Sequence, residues 1–210
     1  MPASSVNRGE KMADRLDMRN ALNELAFRQS GYFTAAQARE LGYSAQSQKY
    51  HADRGSWNRI EHGLYRLSGW PAHESDTYTR WFVWSDNRGV ISHESAAAIH
   101  GIGDLDPRHV HLTLTKPRRT LRTGVQLHAA ELPNIDIEDH DTFRVTTPER
   151  TLLDLADSPI TQEQFTELTS DALDQSLADA SELSARADDF GATAALRIER
   201  ALGSYRSERT

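Results

Sequence analysis

The amino-acid sequence predicts an α+β fold in two parts, and three observations support that prediction. Residues 31–67 contain two short helical segments with capping residues, followed by a glycine-centred hairpin. Residues 110–146 contain three short strand-like runs. Residues 147–202 contain runs whose apolar residues recur every three to four positions, as on one face of a helix. We therefore expect an N-terminal winged helix-turn-helix, followed by a mixed α/β domain with a small sheet and packed helices.

The first part is expected to begin with two helices. Apolar residues on one side of 16–29 predict the first of them. Thr34 and Gln37 have the spacing of a capping box, in which each side chain bonds the other residue's backbone amide. This box predicts a second helix that ends at Leu41, with Gly42 supplying the turn.

The next helix of the first part is unusually polar. Ser44 is suited to cap a helix over residues 45–54, and Gly55 closes it. Of its residues, only Ala45, Ala52 and Tyr50 could contribute to an apolar stripe; the others are polar. A helix this polar gains little by packing on a core.

A hairpin follows the polar helix. Two runs with alternating apolar residues, 57–60 and 64–67, flank a turn that contains Gly63. A polar helix followed by such a hairpin is the layout of a winged helix-turn-helix. The alternative is a small helical subdomain with a β-ribbon and a solvated helix.

We interpret this segment as DNA-binding. Gln and Ser side chains can contact base edges, as we expect of Gln46 and Ser47, and basic side chains bind phosphates, as we expect of Lys49 and Arg59. The candidate contact residues are Thr34, Ser44, Gln46, Ser47, Lys49, Tyr50, Arg54, Arg59, His62 and Arg66.

Composition excludes several kinds of site. The 210 residues include no cysteine, so disulfides, zinc–thiolate centres and cysteine nucleophiles are excluded, and a reducing cytoplasm is the expected location. No run has membrane-spanning length, and residues 1–12 lack the apolar stretch of a signal peptide. We expect no membrane partner.

Charge is distributed unevenly along the chain. The net charge is −7, yet residues 1–70 carry ten basic and seven acidic side chains. Residues 131–192 carry three basic and sixteen acidic ones. This asymmetry indicates separate partners for the two parts of the molecule.

Breaks in the pattern suggest the domain boundaries, with the clearest break at 69–71. We expect a disordered tail over 1–14, a winged helix-turn-helix over 15–69 and an α+β domain over 72–204. The expected elements of the second domain are helices at 75–87 and 91–100, strands at 110–115, 125–128 and 143–146, and helices starting at Pro148, after Thr161 and near Ala194. A basic turn is expected over 116–122.

Four runs of this chain resemble one protein family. They are residues 42–67 (ending HGLYRL), 91–101 (ISHESAAAIHG), 110–115 (VHLTLT) and 145–156 (VTTPERTLLDLA). In this order they resemble the winged helix and the second domain of AbiEi-type antitoxins of type IV toxin–antitoxin systems, over roughly residues 15–180. Gln48 and His51 depart from the resemblance, because we expect apolar residues there.

The resemblance implies a function and two partners. Such antitoxins belong to two-gene pairs linked to abortive phage infection, repress their own operon through the winged helix, and counter a toxin of the nucleotidyltransferase (AbiEii-like) class. It implies double-stranded promoter DNA and the cognate toxin as partners. A second copy of the chain on DNA is a further candidate partner, and the sequence does not fix the oligomeric state. The acidic residues from 154 to 189 are then either a solvated surface or a docking surface for a basic toxin.

Histidines in the second domain raise the question of a metal site. His109 and His111 are two residues apart on a predicted strand, which could let both bind zinc or manganese together with a carboxylate. The alternative is a pair of surface histidines on the solvent face of a half-exposed sheet. Other possible ligands close in sequence are His93, Asp104, Asp106 and His128. Because the sequence fixes no third ligand, we predict no metal and no cofactor.

No arrangement in the sequence predicts catalysis. Ser92, His93 and Glu94 are adjacent, so their side chains are poorly placed to form a catalytic triad. Arg150 and Asp154 have the i,i+4 spacing of a structural ion pair. Phosphate-binding loops and nucleophile-elbow motifs are missing from the sequence. We therefore predict no catalytic residue and no enzyme.

Three hypotheses follow from the sequence. The first is a DNA-binding antitoxin that represses its own operon. The second is a DNA-binding regulator without a toxin, whose second domain senses a ligand or forms an oligomer. The third, less favoured, is an enzyme that modifies the toxin and uses the region around His109 and His111.

Overall fold

The computed structural model describes residues 6–117 and 123–209, with side chains from residue 13 onward. Its contacts divide the chain into two units, Met1–Asn87 and Arg88–Thr210. The helix expected over 75–87 lies in the first unit, although the sequence suggested a break at 69–71. The basic turn expected at 116–122 lies largely outside the described residues.

The first unit has the expected winged helix-turn-helix order, with a small sheet. Its elements are α1 (Val6–Phe27), β1 (Tyr32–Thr34), α2 (Ala35–Glu40), α3 (Ala45–Asp53), β2 (Trp57–Glu61), β3 (Leu64–Leu67) and α4 (Asp76–Trp84). The strands form an antiparallel sheet in the order β1-β3-β2. The three-residue strand β1 was not predicted. Residues 6–14, expected to be disordered, are the start of α1, and residues 1–5 lie outside the description.

Capping places the two short helices as predicted. The Thr34 hydroxyl accepts a hydrogen bond from the backbone N–H of Gln37 at 3.1 Å, and the Gln37 side chain accepts one from the N–H of Thr34 at 2.8 Å. The Ser44 hydroxyl accepts from the N–H of Ser47 at 3.1 Å and begins α3. Each cap satisfies backbone donors that a helix N-terminus leaves unpaired.

Aromatic rings dominate the core of the first unit. Phe33, the middle residue of β1, is fully buried and meets Trp57 edge-on, with ring centroids 4.8 Å apart. Tyr43, in the turn between α2 and α3, packs on the same Trp57 ring at 5.1 Å. Tyr65 stacks on Phe33 at 5.9 Å. These contacts hold the hairpin against the helices, because large rings bury much apolar area in a small volume.

The second unit is a mixed five-stranded sheet with helices. Its elements are β4 (Val90–Ile91), α5 (His93–His100), β5 (Val110–Leu114), β6 (Val125–Ala129), β7 (Ile137–Asp139), β8 (Arg144–Thr146), α6 (Pro148–Ala156), α7 (Gln162–Asp174), α8 (Ala180–Arg186) and α9 (Ala192–Ser207). The strand order is β6-β5-β4-β8-β7, with β5/β6 and β4/β8 parallel. The predicted strands and helices are present, and helix α8 and the short strands β4 and β7 are additional.

Strand β5 is buried on both faces, contrary to the half-exposed sheet expected from its alternating pattern. Leu112 is buried on one face, and His111 and Thr113 are buried on the other. Helix α5 explains this burial. The Ser95 hydroxyl of α5 accepts a hydrogen bond from the N–H of His111 at 3.0 Å, and Thr113 donates its hydroxyl proton to Ser92 at 2.7 Å. Polar side chains on an alternating strand can therefore be covered when their partners lie on a neighbouring helix.

The helices of the second unit form its main apolar core. Every residue of helix α6 except Glu149 is buried, and Pro148 lies in its first turn, where the missing N–H costs nothing. Thr147 caps it, and Thr161 begins α7 with the predicted capping box. Four helices meet in this core, and each contributes a buried apolar side chain: Leu152 of α6, Phe165 of α7, Leu183 of α8 and Ile198 of α9.

A buried ionic network joins α6 to the rest of the second unit. The predicted ion pair is confirmed: Nε of Arg150 donates to Asp154 at 2.8 Å. Arg150 also contacts Asp136, which is fully buried, at 2.9 Å. Arg186 contacts the other carboxylate oxygen of Asp136 at 2.6 Å. Asp136 thus bridges two guanidinium groups, an arrangement that a single i,i+4 spacing could not reveal.

The helices in the described part of the chain do not meet the requirements of a membrane-spanning helix. None of them combines the necessary length with an apolar composition.

Candidate functional site

The inner side of α3 is polar and aromatic. Gln48 is 5% exposed, and its Nε2 donates to the carbonyls of Ala35 and Tyr43 at 3.0 Å each. The His51 ring stacks on Trp57, with centroids 4.8 Å apart and 15° between the planes. Burial lowers the pKa of His51, which favours the neutral ring. The two residues that depart from the family pattern therefore fasten α3 to its neighbours.

Of the three residues of α3 that could contribute to an apolar stripe, two do not face the core, and the sequence reasoning missed that Gln48 does. Ala45 and Tyr50 are exposed, and Ala52 is half-buried. The error has a physical cause: Gln48 can replace an apolar side chain because both of its amide protons have acceptors in the fold.

The outer side of α3 carries several of the predicted DNA contacts. Gln46, Lys49 and Arg54 are exposed, as is the Tyr50 ring, over which the Arg54 guanidinium lies at 5.1 Å. Lys49 pairs with Asp53 at 2.6 Å, but their side chains are 75% and 62% exposed. Such a solvated pair contributes about 0–1 kcal/mol, so a DNA phosphate can replace the carboxylate at little cost. Ser44 and Ser47 lie at the start of the helix.

The wing supplies the next predicted contacts. Arg59 and His62 are exposed near the turn between β2 and β3. The Arg59 guanidinium donates to Nδ1 of His62 at 3.0 Å. The pair brings a positive charge and an imidazole ring to the tip of the hairpin, where the wing of a winged helix can approach the DNA backbone.

Two of the candidate contact residues have internal roles instead. Thr34 is buried, and its hydroxyl caps α2. Arg66 donates to the carbonyls of Ser30 and Pro71 and pairs with Asp76 at 2.7 Å. A hydroxyl or guanidinium whose partners lie inside the fold is poorly placed to contact a ligand, so we leave both residues out of the proposed DNA surface.

A groove beside α3 adds two basic residues that the sequence reasoning missed. It has a volume of about 1150 Å³ and is lined by α1 on one side and by the start of α3 on the other. Arg15 and Arg19 of α1 share this groove with Gln46, Ser47 and Tyr50. Their i,i+4 spacing places both on one face of α1, which was the available signal.

The surface of the second unit is strongly acidic over residues 131–192. Of the three arginines in this range, Arg150 is buried and Arg144 and Arg186 are half-buried. Most of the carboxylates are exposed: Glu131, Glu138, Asp139, Asp141, Asp157, Glu163, Glu167, Asp174, Asp179, Glu182, Asp188 and Asp189. The sequence asymmetry is therefore a property of the surface and not only of the composition.

The histidines of the second unit lie in an unexpected arrangement. His109 and His111 do not form a pair, because His109 is exposed and His111 is buried. His111 instead groups with His93 of α5 and His128 of β6, with one ring nitrogen of each within 4.8 Å of the others. We name these three residues the histidine cluster. The expectation of solvent-facing histidines was wrong for His111.

Burial controls protonation in the histidine cluster. It lowers the pKa of His93 to about 2, aided by the neighbouring rings and Arg150. It lowers the pKa of His111 and of His128 to about 4 each. All three imidazoles are therefore neutral near pH 7.

The histidine cluster does not complete a catalytic triad. The Ser92 hydroxyl lies 2.9 Å from Nδ1 of His93, and a carboxylate oxygen of Asp154 lies 4.0 Å from the same nitrogen. A triad requires the hydroxyl and the carboxylate on opposite ring nitrogens, so that one nitrogen accepts the proton while the other is oriented.

Two protein-family models match this chain, one in each unit. A family model described as "Transcriptional regulator, AbiEi antitoxin" matches residues 20–68. A model described as "AbiEi antitoxin C-terminal domain" matches residues 89–204, more than half of the chain. Both descriptions are of regulatory proteins rather than enzymes. A comparison with curated proteins gave no match.

A solved structure shares the fold. The crystal structure of the RV2827C protein from Mycobacterium tuberculosis is similar with a TM-score of 0.61 at 15% sequence identity. The similarity covers 88% of this chain and 75% of that one. At this identity the likeness supports the fold alone.

Proposed function

This chain belongs to the AbiEi antitoxin family, and we propose that it represses its own operon and counteracts a nucleotidyltransferase-type toxin. The first unit binds double-stranded promoter DNA through α3 and the wing. The second unit contacts the toxin. The observation that carries the DNA-binding half is the two-sided character of α3, whose inner side is fastened by buried polar groups and whose outer side presents solvated polar ones.

Helix α3 is suited to the major groove because its contact residues differ in kind. Gln46 and Ser47 offer the hydrogen-bonding groups that distinguish base edges. Lys49 provides a charge for the phosphate backbone, as Arg59 does from the wing. Since Gln48 and His51 fix the helix on the core, little conformational entropy remains to be lost on binding.

The number of basic groups sets the strength of non-specific binding. Lys49, Arg54 and Arg59, with Arg15 and Arg19 beside α3, provide five potential phosphate contacts for each copy. Neutralising five phosphates of B-DNA gives a slope of about −4.5 in a plot of log K against log salt concentration. The module is therefore a modest electrostatic binder, and its sequence preference depends on the polar residues of α3.

The acidic surface of the second unit supports the toxin-binding half. A nucleotidyltransferase must attract nucleotide and RNA phosphates, so its cleft carries positive potential. The exposed carboxylates between 131 and 192 are complementary to such a cleft. Charge complementarity accelerates encounter and selects the partner.

Promoter binding is tested with the intergenic DNA upstream of the gene. Fluorescence anisotropy with this DNA, and with scrambled DNA of the same length, measures affinity and preference together. We expect tighter binding to the promoter sequence, and a change of sequence preference for the pair Gln46→Ala and Ser47→Ala with a smaller change in bulk affinity. Equal affinity for both DNAs would contradict specific repression.

Toxin neutralisation is tested separately from DNA binding. The chain is expressed from an unrelated inducible promoter together with the product of the neighbouring gene, which this proposal expects to be a nucleotidyltransferase, and growth is measured. We expect rescue by the wild type and equally by a Lys49→Ala/Arg59→Ala variant. Promoter binding without rescue would instead favour a regulator that has no toxin.

A further inference from the structure

The histidine cluster joins three elements of the second unit at one point. His93 is the first residue of α5, His111 lies in β5, and His128 lies in β6, which pairs in parallel with β5. Nδ1 of His111 and Nε2 of His128 are 3.2 Å apart. Two nitrogens bound at about 2.0–2.1 Å to one tetrahedral zinc ion are about 3.4 Å apart. This pair therefore already has the separation of two zinc ligands.

His93 is the third ligand of the set, and its ring has to turn before it can bind the same ion. Its ring stacks on that of His128, with centroids 3.6 Å apart. Binding one ion requires the two rings to turn so that their nitrogens converge. One nitrogen of each ring already lies within 4.8 Å of those of the other two, so the movement is short. The backbone of His93 has φ of 52°, in the left-handed region that non-glycine residues seldom adopt and that is enriched at functional sites.

Two carboxylates approach the cluster from outside. Oδ2 of Asp154 lies 4.0 Å from Nδ1 of His93, and Oε2 of Glu94 lies 4.0 Å from Nε2 of His111. In both cases the carboxylate is near one ring nitrogen and leaves the other for a ligand. At 4.0 Å neither contact is a hydrogen bond, and Nδ1 of His93 already lies 2.9 Å from the Ser92 hydroxyl, so each carboxylate has to move closer before it can orient its histidine as outer carboxylates orient metal-binding histidines.

Asp154 provides an independent sign of a missing partner. Its side chain is 7% exposed. Oδ1 accepts from Nε of Arg150, but Oδ2 has no hydrogen-bond partner in the part of the chain that the structure describes. A buried carboxylate oxygen without a partner is costly, and it would gain a strong donor if a metal ion polarised the N–H of His93.

We propose that His93, His111 and His128 bind one divalent transition-metal ion, with zinc as the best fit. Three imidazole nitrogens suit zinc, whereas magnesium and calcium prefer sets of oxygen ligands. Asp154 and Glu94 act as positioning residues.

The site leaves one coordination position open. The three histidines line a cleft of about 600 Å³, together with Asp106, Arg108 and Gln126. Three protein ligands beside an open cleft are typical of zinc that exchanges a fourth ligand, such as water, rather than of a closed structural site. This inference concerns the second unit alone and does not depend on the proposed function.

The experiment uses the full chain, stripped with a chelator and then dialysed. Zinc is titrated in competition with a chromophoric indicator, and cobalt(II) is added separately because tetrahedral cobalt absorbs visible light. We expect one zinc per chain and a visible cobalt spectrum. We also expect the melting temperature of the chain to rise by roughly 5–10 °C when zinc is at a hundred times Kd.

Matched variants locate the ion. His111→Ala and His128→Ala are expected to weaken zinc binding more than 100-fold, and Glu94→Gln about 10- to 100-fold. His109→Ala is the control, because His109 is exposed and lies two residues from His111; it should bind zinc as the wild type does. Circular dichroism checks that each variant folds, and His128→Gln replaces any alanine variant that does not.

Two results would overturn the proposal. One is stripped wild-type protein that takes up no zinc or cobalt and shows no change in melting temperature. The other is uptake that persists in a folded His128 variant or disappears in His109→Ala, which would place the ion at another position.

Discussion

The two units of this chain place the same kind of ion pair in opposite environments. In the first unit Lys49 and Asp53 form a pair whose side chains are mostly solvated. In the second unit Arg150 lies between Asp136 and Asp154, and all three side chains are buried. The difference separates two uses of charge: a solvated pair can exchange its partner for a phosphate, whereas a buried network fixes the fold.

The free energies of the two kinds of ion pair explain why one chain contains both a solvated pair and a buried network. An exposed pair contributes about 0–1 kcal/mol and weakens with salt. Removing one member of a buried pair costs about 3–5 kcal/mol, because the remaining charge stays out of water without compensation. The same substitution, aspartate to asparagine, should therefore have very different effects in the two units.

The largest effect is expected for Asp136→Asn. This carboxylate is fully buried and accepts from both Arg150 and Arg186, so its neutralisation leaves two guanidinium groups without their charge partner. We expect the free energy of unfolding of the second unit to fall by about 3–5 kcal/mol. Urea denaturation followed by circular dichroism measures it.

Tryptophan fluorescence provides the control for Asp136→Asn. The four tryptophans are Trp57, Trp70, Trp81 and Trp84, and all belong to the first unit. We expect the circular-dichroism transition to move while the fluorescence transition stays in place. Equal shifts of both signals would show that the effect is not confined to the second unit. If this variant does not fold, Arg186→Gln tests the same network at a half-buried position.

Gln48→Leu is expected to have the next largest effect, in the first unit. The change keeps the side chain's size but leaves the carbonyls of Ala35 and Tyr43 without their donor. Loss of buried hydrogen bonds of this kind costs about 1–3 kcal/mol. Tryptophan fluorescence during urea unfolding measures the loss.

Gln46→Leu is the matched control, because Gln46 is exposed on the same helix. It should change stability by less than about 0.5 kcal/mol. A Gln48→Leu variant as stable as the wild type would mean that the amide is not needed to hold α3, and that an apolar residue serves as well.

Much of the fold follows from local signals in the sequence. Thr34, Ser44 and Thr161 begin helices where capping chemistry places them, and the glycine turn at Gly63 forms the hairpin. These features act over three or four residues, so the sequence displays them directly. The short strands β1 and β4 pair with strands distant in the chain, so no local pattern predicts them, whereas β7 forms a hairpin with the nearby β8 that the sequence reasoning missed.

The candidate sites are harder to predict from the sequence, because their residues are also brought together by contacts between distant parts of the chain. His93, His111 and His128 converge because α5, β5 and β6 are neighbours in space, whereas spacing alone favours the pair His109 and His111. Arg66 is of a residue type that suits a wing contact, but its guanidinium pairs with Asp76, ten residues later, inside the fold. Residue type predicts what a side chain can bind, and tertiary packing decides which side chains are available.

Lys49→Ala and Arg59→Ala test the exposed charges of the first unit as phosphate contacts. We expect each change to reduce the magnitude of the slope of log K against log salt concentration by about 0.9, which corresponds to roughly an eightfold loss of affinity at 0.1 M salt. Anisotropy titrations at several salt concentrations measure both quantities. Arg200→Ala, at an exposed position of the second unit, should leave the slope unchanged. Unaltered slopes for Lys49→Ala and Arg59→Ala would exclude them from the DNA surface.

The smallest effect is expected for Asp53→Asn, the exposed counterpart of Asp136→Asn. Stability should change by less than about 0.5 kcal/mol, because the pair with Lys49 is solvated. DNA affinity should rise by about two- to fivefold at low salt, since Lys49 no longer has to leave a carboxylate and one negative charge near the phosphates is gone. The gain should shrink as salt increases, because screening weakens the repulsion that was removed. A loss of affinity would show instead that Asp53 orients Lys49 toward the phosphate. The exposed pair would then fix the position of a side chain, as the buried network does.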